Sequence, residues 1–524
     1  MYYNGFVPKN QPFKSVFKLF FLVFFNIIYL KSKETRRKAR KNNSIGAKKI
    51  IVKNSNRKTK KLPQRFAGKT CYQLNLRAFT PEGTLSAAKE RLNFLKNAGI
   101  DIIYLCPVTA EDDDADKTAW SERQKASELN NPKNPYRVKD YFNVDSEYGN
   151  IDDLSAFIRA AHAKNMYVLL DLVYVHCGPS SRIVNDYPAF VKKDENGKYI
   201  GNHYHFPVLN YENSALRAYM ISNMKFYFSL GADGFRLDYS DAVPADFWEQ
   251  AARELKTDFD NALFLYEGVQ PPAGFADFRY GFAEQIALYA VLNGDYPANK
   301  IGQAVLSNDI PKNATPLLRY IDNHDIITDG MPLHIGGGYE AESKRPRVKI
   351  NASFSNDQIM AAHAIIETLD GLPMICTGYE TGSRAPQSLF SNRFHGAMHA
   401  DLTSAETPEG KAHYRWLKKL CSLRKHTPAL YRGNVKNTGA ADEAGKIARF
   451  ERTLSRRESR NADKKNRSEI SRVAVYINVS KENAFLSLGT VKGKQKILAS
   501  RLTTQNEKEV TFKPFGVLII GYRK

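Results

Sequence analysis

From Lys69 onward, short runs that are apolar at nearly every position alternate with longer runs in which apolar residues recur every three or four positions. The short runs fall at 71–79, 100–105, 166–173, 233–237, 263–266, 317–321 and 373–377, with a weaker eighth at 278–282. Strands that are apolar on both faces belong to a parallel sheet covered on both sides. The intervening helical periods lie at 86–98, 152–165, 214–230, 244–255, 283–292, 357–369 and 410–426, and Gly99 is placed to end the first. Eight such units predict an α/β fold, a (β/α)8 barrel with its helices outside.

Two connections are too long to be simple turns. Residues 177–213, rich in Asp, Asn, Gly, Tyr and Pro, predict a small inserted lobe after the third strand, and 111–141 a shorter excursion after the second. Beyond Tyr431 the helical period gives way to strand-like runs at 447–450, 473–479 and 515–520. The expected domains are therefore a barrel over 63–434 and a C-terminal antiparallel β-sandwich over 435–524, with 454–471 a long solvated hairpin loop.

Residues 1–62 fit no core. Twelve largely apolar residues, 19–30, follow Lys9, Lys14 and Lys18 and precede a polybasic stretch. Twelve suits a signal-peptide apolar region and falls short of the ~20 a bilayer span needs. Three readings stay open: a membrane-associating anchor acting through residues 13–61 with the barrel in the cytoplasm, an atypical export signal, or a misplaced start. The formal charge of +22 does not imply a nucleic-acid partner, because 31–61 alone carries +13 and 452–472 another +5, leaving the rest close to neutral. No aromatic residue is interleaved in 31–61, as single-strand binding would want. Five cysteines, widely spaced and in apolar runs, give neither a disulfide framework nor metal spacing and fit a reducing compartment.

A barrel gathers the side chains at the C-terminal ends of its strands into one mouth. Here the third strand would deliver Asp171 and His176, the fourth Arg236 and Asp238, the fifth Glu267, and the seventh Asn323, His324 and Asp325. Several carboxylates without metal-ligand spacing are the equipment of glycosyl transfer, in which one acid is an ionised nucleophile and another a protonated acid/base. Arg236 and Asp238 share a strand face, so the cation should hold that aspartate ionised. Glu267 follows an apolar strand, where burial raises a carboxyl pKa, as an acid requires. Asp171 reads as a buried scaffold acid.

These segments resemble the alpha-amylase superfamily of retaining alpha-glycoside hydrolases and transglycosidases. The resemblance rests on Asp171-Leu-Val-Tyr-Val-His176, Gly234-Phe-Arg-Leu-Asp238, Glu267-Gly268 and Tyr320-Ile-Asp-Asn-His-Asp325, in that order. Phe206-Pro-Val-Leu-Asn210, Tyr136 with Asp140-Tyr141, and the stretch from Gly371 to Glu380 add to it. It implies Asp238 as nucleophile, Glu267 as acid/base and Asp325 as transition-state stabiliser. Tyr136, His176, Arg236, His324 and Asn323 would surround an oligosaccharide or polysaccharide substrate, with Asp171 and Asp140 as structural neighbours. No cofactor is expected; Val175 stands where the family usually has an asparagine that in many members helps hold calcium, so no metal is expected there either. Asp241-Ala242 and Arg137 depart from the patterns of many endo-amylases and exo-acting alpha-glucosidases. Hydrolysis of alpha-glucosidic bonds is the leading expectation and transglycosylation the alternative. A non-catalytic, membrane-tethered barrel would be marked by lost acids, and all three are present.

Overall fold

The computed structural model describes residues 66–256, 258–306, 315–458, 470–487, 495–506 and 509–523. The N-terminal segment and most of the hairpin loop expected at 454–471 lie outside them. Eight parallel strands close into a barrel: β1 Cys71–Leu74, β2 Ile102–Leu105, β3 Tyr167–Leu172, β4 Gly234–Leu237, β5 Leu263–Tyr266, β6 Phe278–Tyr280, β7 Leu317–Arg319 and β8 Leu372–Cys376. The weak eighth run of the sequence is β6, three residues long. Every other residue of a strand faces inward. Cys71, Ile102, Leu169, Leu263, Phe278, Leu318 and Leu372 thus fill the barrel interior, while Tyr72, Ile103, Val168, Phe235 and Phe264 face the helices. Gly234 permits the closest strand approach, since a Cβ there would lie 1.9 Å from the Leu263 carbonyl oxygen.

Two boundaries differ from the periodicity. The strand expected over 71–79 stops at Leu74, where the Asn75 amide donates to Thr377 Oγ1, and Leu76–Phe79 winds into a helical turn. The helix expected over 86–98 is two, Leu85–Glu90 and Leu92–Ala98, joined at Arg91 and ended by Gly99 in the left-handed conformation (φ 104°).

Residues 109–144 open and close with an antiparallel ribbon, Thr109–Glu111 against Val138–Val144, and carry the short helix Glu122–Ala126 between. Buried ion pairs pin this excursion: Arg77 reaches Glu111 at 2.8 Å and Glu147 at 2.9 Å, and Arg137 reaches Asp112 at 3.0 Å. Asp112 also accepts from the Ser180 amide, tying the excursion to the inserted lobe.

The C-terminal strands are β9 Asn434–Ala440, β10 Ile447–Thr453, β11 Ile470–Asn478, β12 Ala484–Ser487, β13 Gln495–Gln505 and β14 Glu509–Arg523. They form a single antiparallel sheet, with β14 pairing β11, β12 and β13, in place of the two sheets of a sandwich. One face, including Phe450, Val475 and Ile519, joins the core cluster of the barrel; the other, including Tyr476, Leu518 and Phe512, has a core of its own. The sheet therefore shares its hydrophobic core with the barrel rather than standing apart.

Candidate active site

The inward positions of the strands turn polar at the barrel mouth. Gln73, Tyr104, Asp171 and Arg236 form a buried layer above the apolar interior, and Asp238, Glu267, His324 and Asp325 stand over it. Arg236 is its centre. Nη1 donates to Asp171 Oδ1 at 2.7 Å and to Asp238 Oδ1 at 2.8 Å, and Nη2 lies 2.7 Å from Glu267 Oε1 as an ion pair whose direction is off the N–H line. The rings of Tyr104, Tyr136 and Tyr280 surround the guanidinium at 5.6 to 5.9 Å. One arginine fork thus fixes the relative positions of three carboxylates.

A directed hydrogen-bond chain holds the opposite wall. Gln73 accepts the His324 amide through Oε1 at 2.8 Å, which turns its Nε2 toward His324 Nδ1 at 2.8 Å. His324 Nδ1 is then the acceptor, and Nε2–H faces Tyr136 Oη at 2.7 Å. Tyr136 in turn donates to Asp171 Oδ2 at 3.0 Å, beside Tyr104 at 2.8 Å. The Tyr136 and His324 rings stack with centroids 5.5 Å apart and planes at 11°. His176 donates from Nε2 to the Tyr136 carbonyl and accepts at Nδ1 from Asn202, so both its nitrogens are engaged by protein. Burial pushes His176 down to about 4, keeping it neutral.

Burial also raises the Asp238 carboxyl well above the usual range; Arg236 opposes the shift, and Glu267 and Asp171 add to it. Glu267 is raised as well, by burial first and by Asp325, against Arg236. At Asp238 burial and the neighbouring acids thus oppose the Arg236 cation that donates to its carboxylate. Asp325 is the counter-case. Although burial pushes its carboxyl up, His324, Arg123 and Arg236 bring it down to about 2. Its Oδ1 accepts from Arg123 Nη2 at 2.9 Å.

Of the residues expected at the site, Asp238, Glu267, Asp325, Tyr136, His176 and His324 line one cleft, and Arg236 and Asp171 lie directly beneath it. Asn323 does not line it. Its side chain caps the helix His324–Asp329, accepting from the amides of Asp325 and Ile326, and so it orients Asp325. Asp140 accepts from Asn143, the Phe142 amide and Arg182 in the ribbon. Val175 is buried and apolar, bringing no oxygen ligand to its position. Sequence reasoning missed Arg123, Gln73, Tyr204, Leu389 and Phe390. Gln73 was findable as an inward position at the end of β1; Arg123 sits in a polar helix of the excursion, where nothing in the local pattern distinguishes it.

Barrel, sheet and acid cluster together define one cleft at the C-terminal mouth of a (β/α)8 barrel. Residues 52–200 match the family described as alpha amylase, catalytic domain. The chain is 24% identical over 337 residues to alpha-amylase MalA of Haloarcula japonica, covering 60% of this chain and 44% of that protein. It is 25% identical over 198 residues to an alpha-1,4-glucan:maltose-1-phosphate maltosyltransferase of Picrophilus torridus, covering 35% and 31%. The chain thus spans less than half the length of these two relatives. Its fold matches the crystal structure of an alpha-amylase from Lactobacillus plantarum with a TM-score of 0.65 at 19% identity, covering 87% of this chain and 99% of that one. Over residues 52–200 the chain is thus similar to the alpha-amylase catalytic domain, and its fold is that of a solved alpha-amylase.

Proposed function

We propose that the protein cleaves alpha-glucosidic bonds of oligo- or polysaccharides with retention of configuration. The observation that carries this reading is the single Arg236 fork that joins Asp238 and Glu267 below a cleft whose far wall holds an ionised Asp325. Asp238 receives an in-line hydrogen bond from Arg236, which favours its anion, and Glu267, raised by burial, carries the proton in the reactive form. An Asp238 oxygen attacks the anomeric carbon as the Glu267 proton passes to the leaving glycosidic oxygen. Glu267, now a carboxylate, takes a proton from an incoming hydroxyl, whose oxygen attacks the same carbon and releases Asp238. Asp325 accepts hydroxyls of the distorted sugar, and the Tyr136 ring offers it a face.

The incoming hydroxyl is water in a hydrolase and a sugar in a transglycosidase. Hydrolysis is the leading reading. Transfer is supported by Tyr204, Phe206, Leu389 and Phe390, which line the cleft and would favour a stacked sugar over water, and by the likeness to a maltosyltransferase. Five buried free cysteines support a reducing, cytoplasmic setting.

The reading is tested by incubating the protein with 5-fluoro-alpha-glucosyl fluoride and mapping the modified peptide by mass spectrometry. A glycosyl group on Asp238 is the predicted result; turnover with a trapped sugar on another side chain would overturn the assignment.

A further inference from the structure

At the end of the barrel opposite the cleft, three arginines converge on one turn. Asp370, just before β8, is reached by Arg319 of β7 at 2.7 Å and by Arg452 of β10 at 3.9 Å. Arg424, from the helix Pro408–His426, donates to the carbonyls of Glu367, Leu369 and Gly371 around the same turn. All three guanidinium groups are buried, with Arg452 and Arg424 fully so. Arg319 spends its terminal nitrogens on Asp370 and on the carbonyls of Ala304 and Val305.

Arg452 differs. Among the described residues none of its three nitrogens has a hydrogen-bond partner, and Nε of Arg319 and of Arg424 are likewise buried without an acceptor. Buried donors are nearly always paired, and an uncompensated buried charge is among the costlier features a fold can carry. The local charge is unbalanced too. Among the described residues Asp370 is the carboxylate paired with Arg452, and Glu367, which faces Arg424, is pushed by burial up to about 7 and so offsets only part of the excess. Burial together with Arg319 and Arg424 brings Arg452 down to about 10, against the pull of Asp370. Missing here are acceptor lone pairs and negative charge. The side chain of Asp370 is half-exposed, which gives the cluster a route to solvent.

We propose that Arg452, Arg319 and Arg424 form a binding site for a small inorganic oxyanion of the phosphate class, seated between the barrel and the C-terminal sheet. Such an ion carries enough acceptor oxygens to pair several guanidinium donors at once. Because Arg452 belongs to the sheet while Arg319 and Arg424 belong to the barrel, the ion fastens the two together.

The test is thermal unfolding of the full chain, exchanged into sodium chloride and titrated with sodium phosphate at constant pH and ionic strength, for the wild type and Arg452→Met. The wild-type midpoint should rise saturably with phosphate, as linkage to a folded-state site requires. R452M should show no such rise and, in chloride alone, should unfold at or above the wild-type temperature, since its buried charge is gone. Equal responses to phosphate, or a variant less stable by the same amount in both salts, would overturn the site. If R452M does not fold, 31P line broadening on the wild type decides: saturable broadening displaced by sulfate supports the site, and unbroadened phosphate refutes it.

Discussion

Arg123 holds Asp325 and Asp329 with one guanidinium, Nη2 at 2.9 Å from Asp325 Oδ1 and Nε at 2.9 Å from Asp329 Oδ2. The acid assigned to the sugar hydroxyls is therefore already occupied on one oxygen by a side chain from the excursion after β2. The pairing keeps Asp325 ionised and aimed, and a sugar must share or displace it.

Replacing Arg123 by Met should lower kcat/KM by at least about tenfold, on the scale of a lost charge-assisted hydrogen bond. It should also raise the pKa of the Asp325 carboxyl, read from its 13C shift by NMR. The sign follows from the depressed carboxyl: the ionised form is stabilised above its unfolded pKa and lost as pH falls through about 2, so removing a cation brings that loss to higher pH. Arg123→Lys should recover part of the shift. An unmoved Asp325 titration in R123M would separate Arg123 from Asp325.

Asp238→Asn and Glu267→Gln should each leave the circular dichroism spectrum and unfolding midpoint near wild type. Turnover should drop by at least about 10²-fold for the acid/base and further for the nucleophile. Activity within tenfold of wild type in either variant would show that the chemistry lies elsewhere.

Tyr136→Phe keeps the ring stacked on His324 but removes the hydroxyl that bonds Asp171 Oδ2 and faces His324 Nε2. Leaving a buried acid one donor short costs about 1–3 kcal/mol. The expected result in chemical denaturation is a lower midpoint with unchanged slope. A variant as stable as wild type would mean that Tyr104 and Arg236 already satisfy Asp171.

His413 is buried, and burial pushes it down to about 4. The unfolded chain then binds a proton that the folded chain does not, between about pH 6.5 and 4, so folding stability falls on acidification across that window. Relative to His413→Gln, wild-type stability should fall by about 1.4 kcal/mol per pH unit there. Parallel pH curves for the two proteins would contradict the burial argument.

The barrel was legible because each strand is apolar on both faces, a signal strong enough to give β5 at 263–266 residue for residue. It weakened where a side-chain contact ends a strand: the Thr377 hydroxyl at Asn75 stops β1 early, and no local pattern encodes a partner about three hundred residues away. The three acids were readable from strand-end placement alone. The burial that raises the Asp238 carboxyl was not, because it depends on how closely the walls approach, which strand spelling does not record. Arg123 was invisible for a similar reason, since its role comes from the path of the excursion. Asn323 misled because a polar residue at a strand end reads as a ligand when it caps a helix instead.

The most direct test of the central claim is proton NMR of the first product formed when the protein, shown to be folded, meets a panel of maltooligosaccharides, sucrose, trehalose and isomaltose. Newly formed reducing ends, or newly formed transfer products, should carry the alpha configuration before mutarotation. First appearance of the beta anomer would contradict the retaining mechanism built on Asp238 and Glu267.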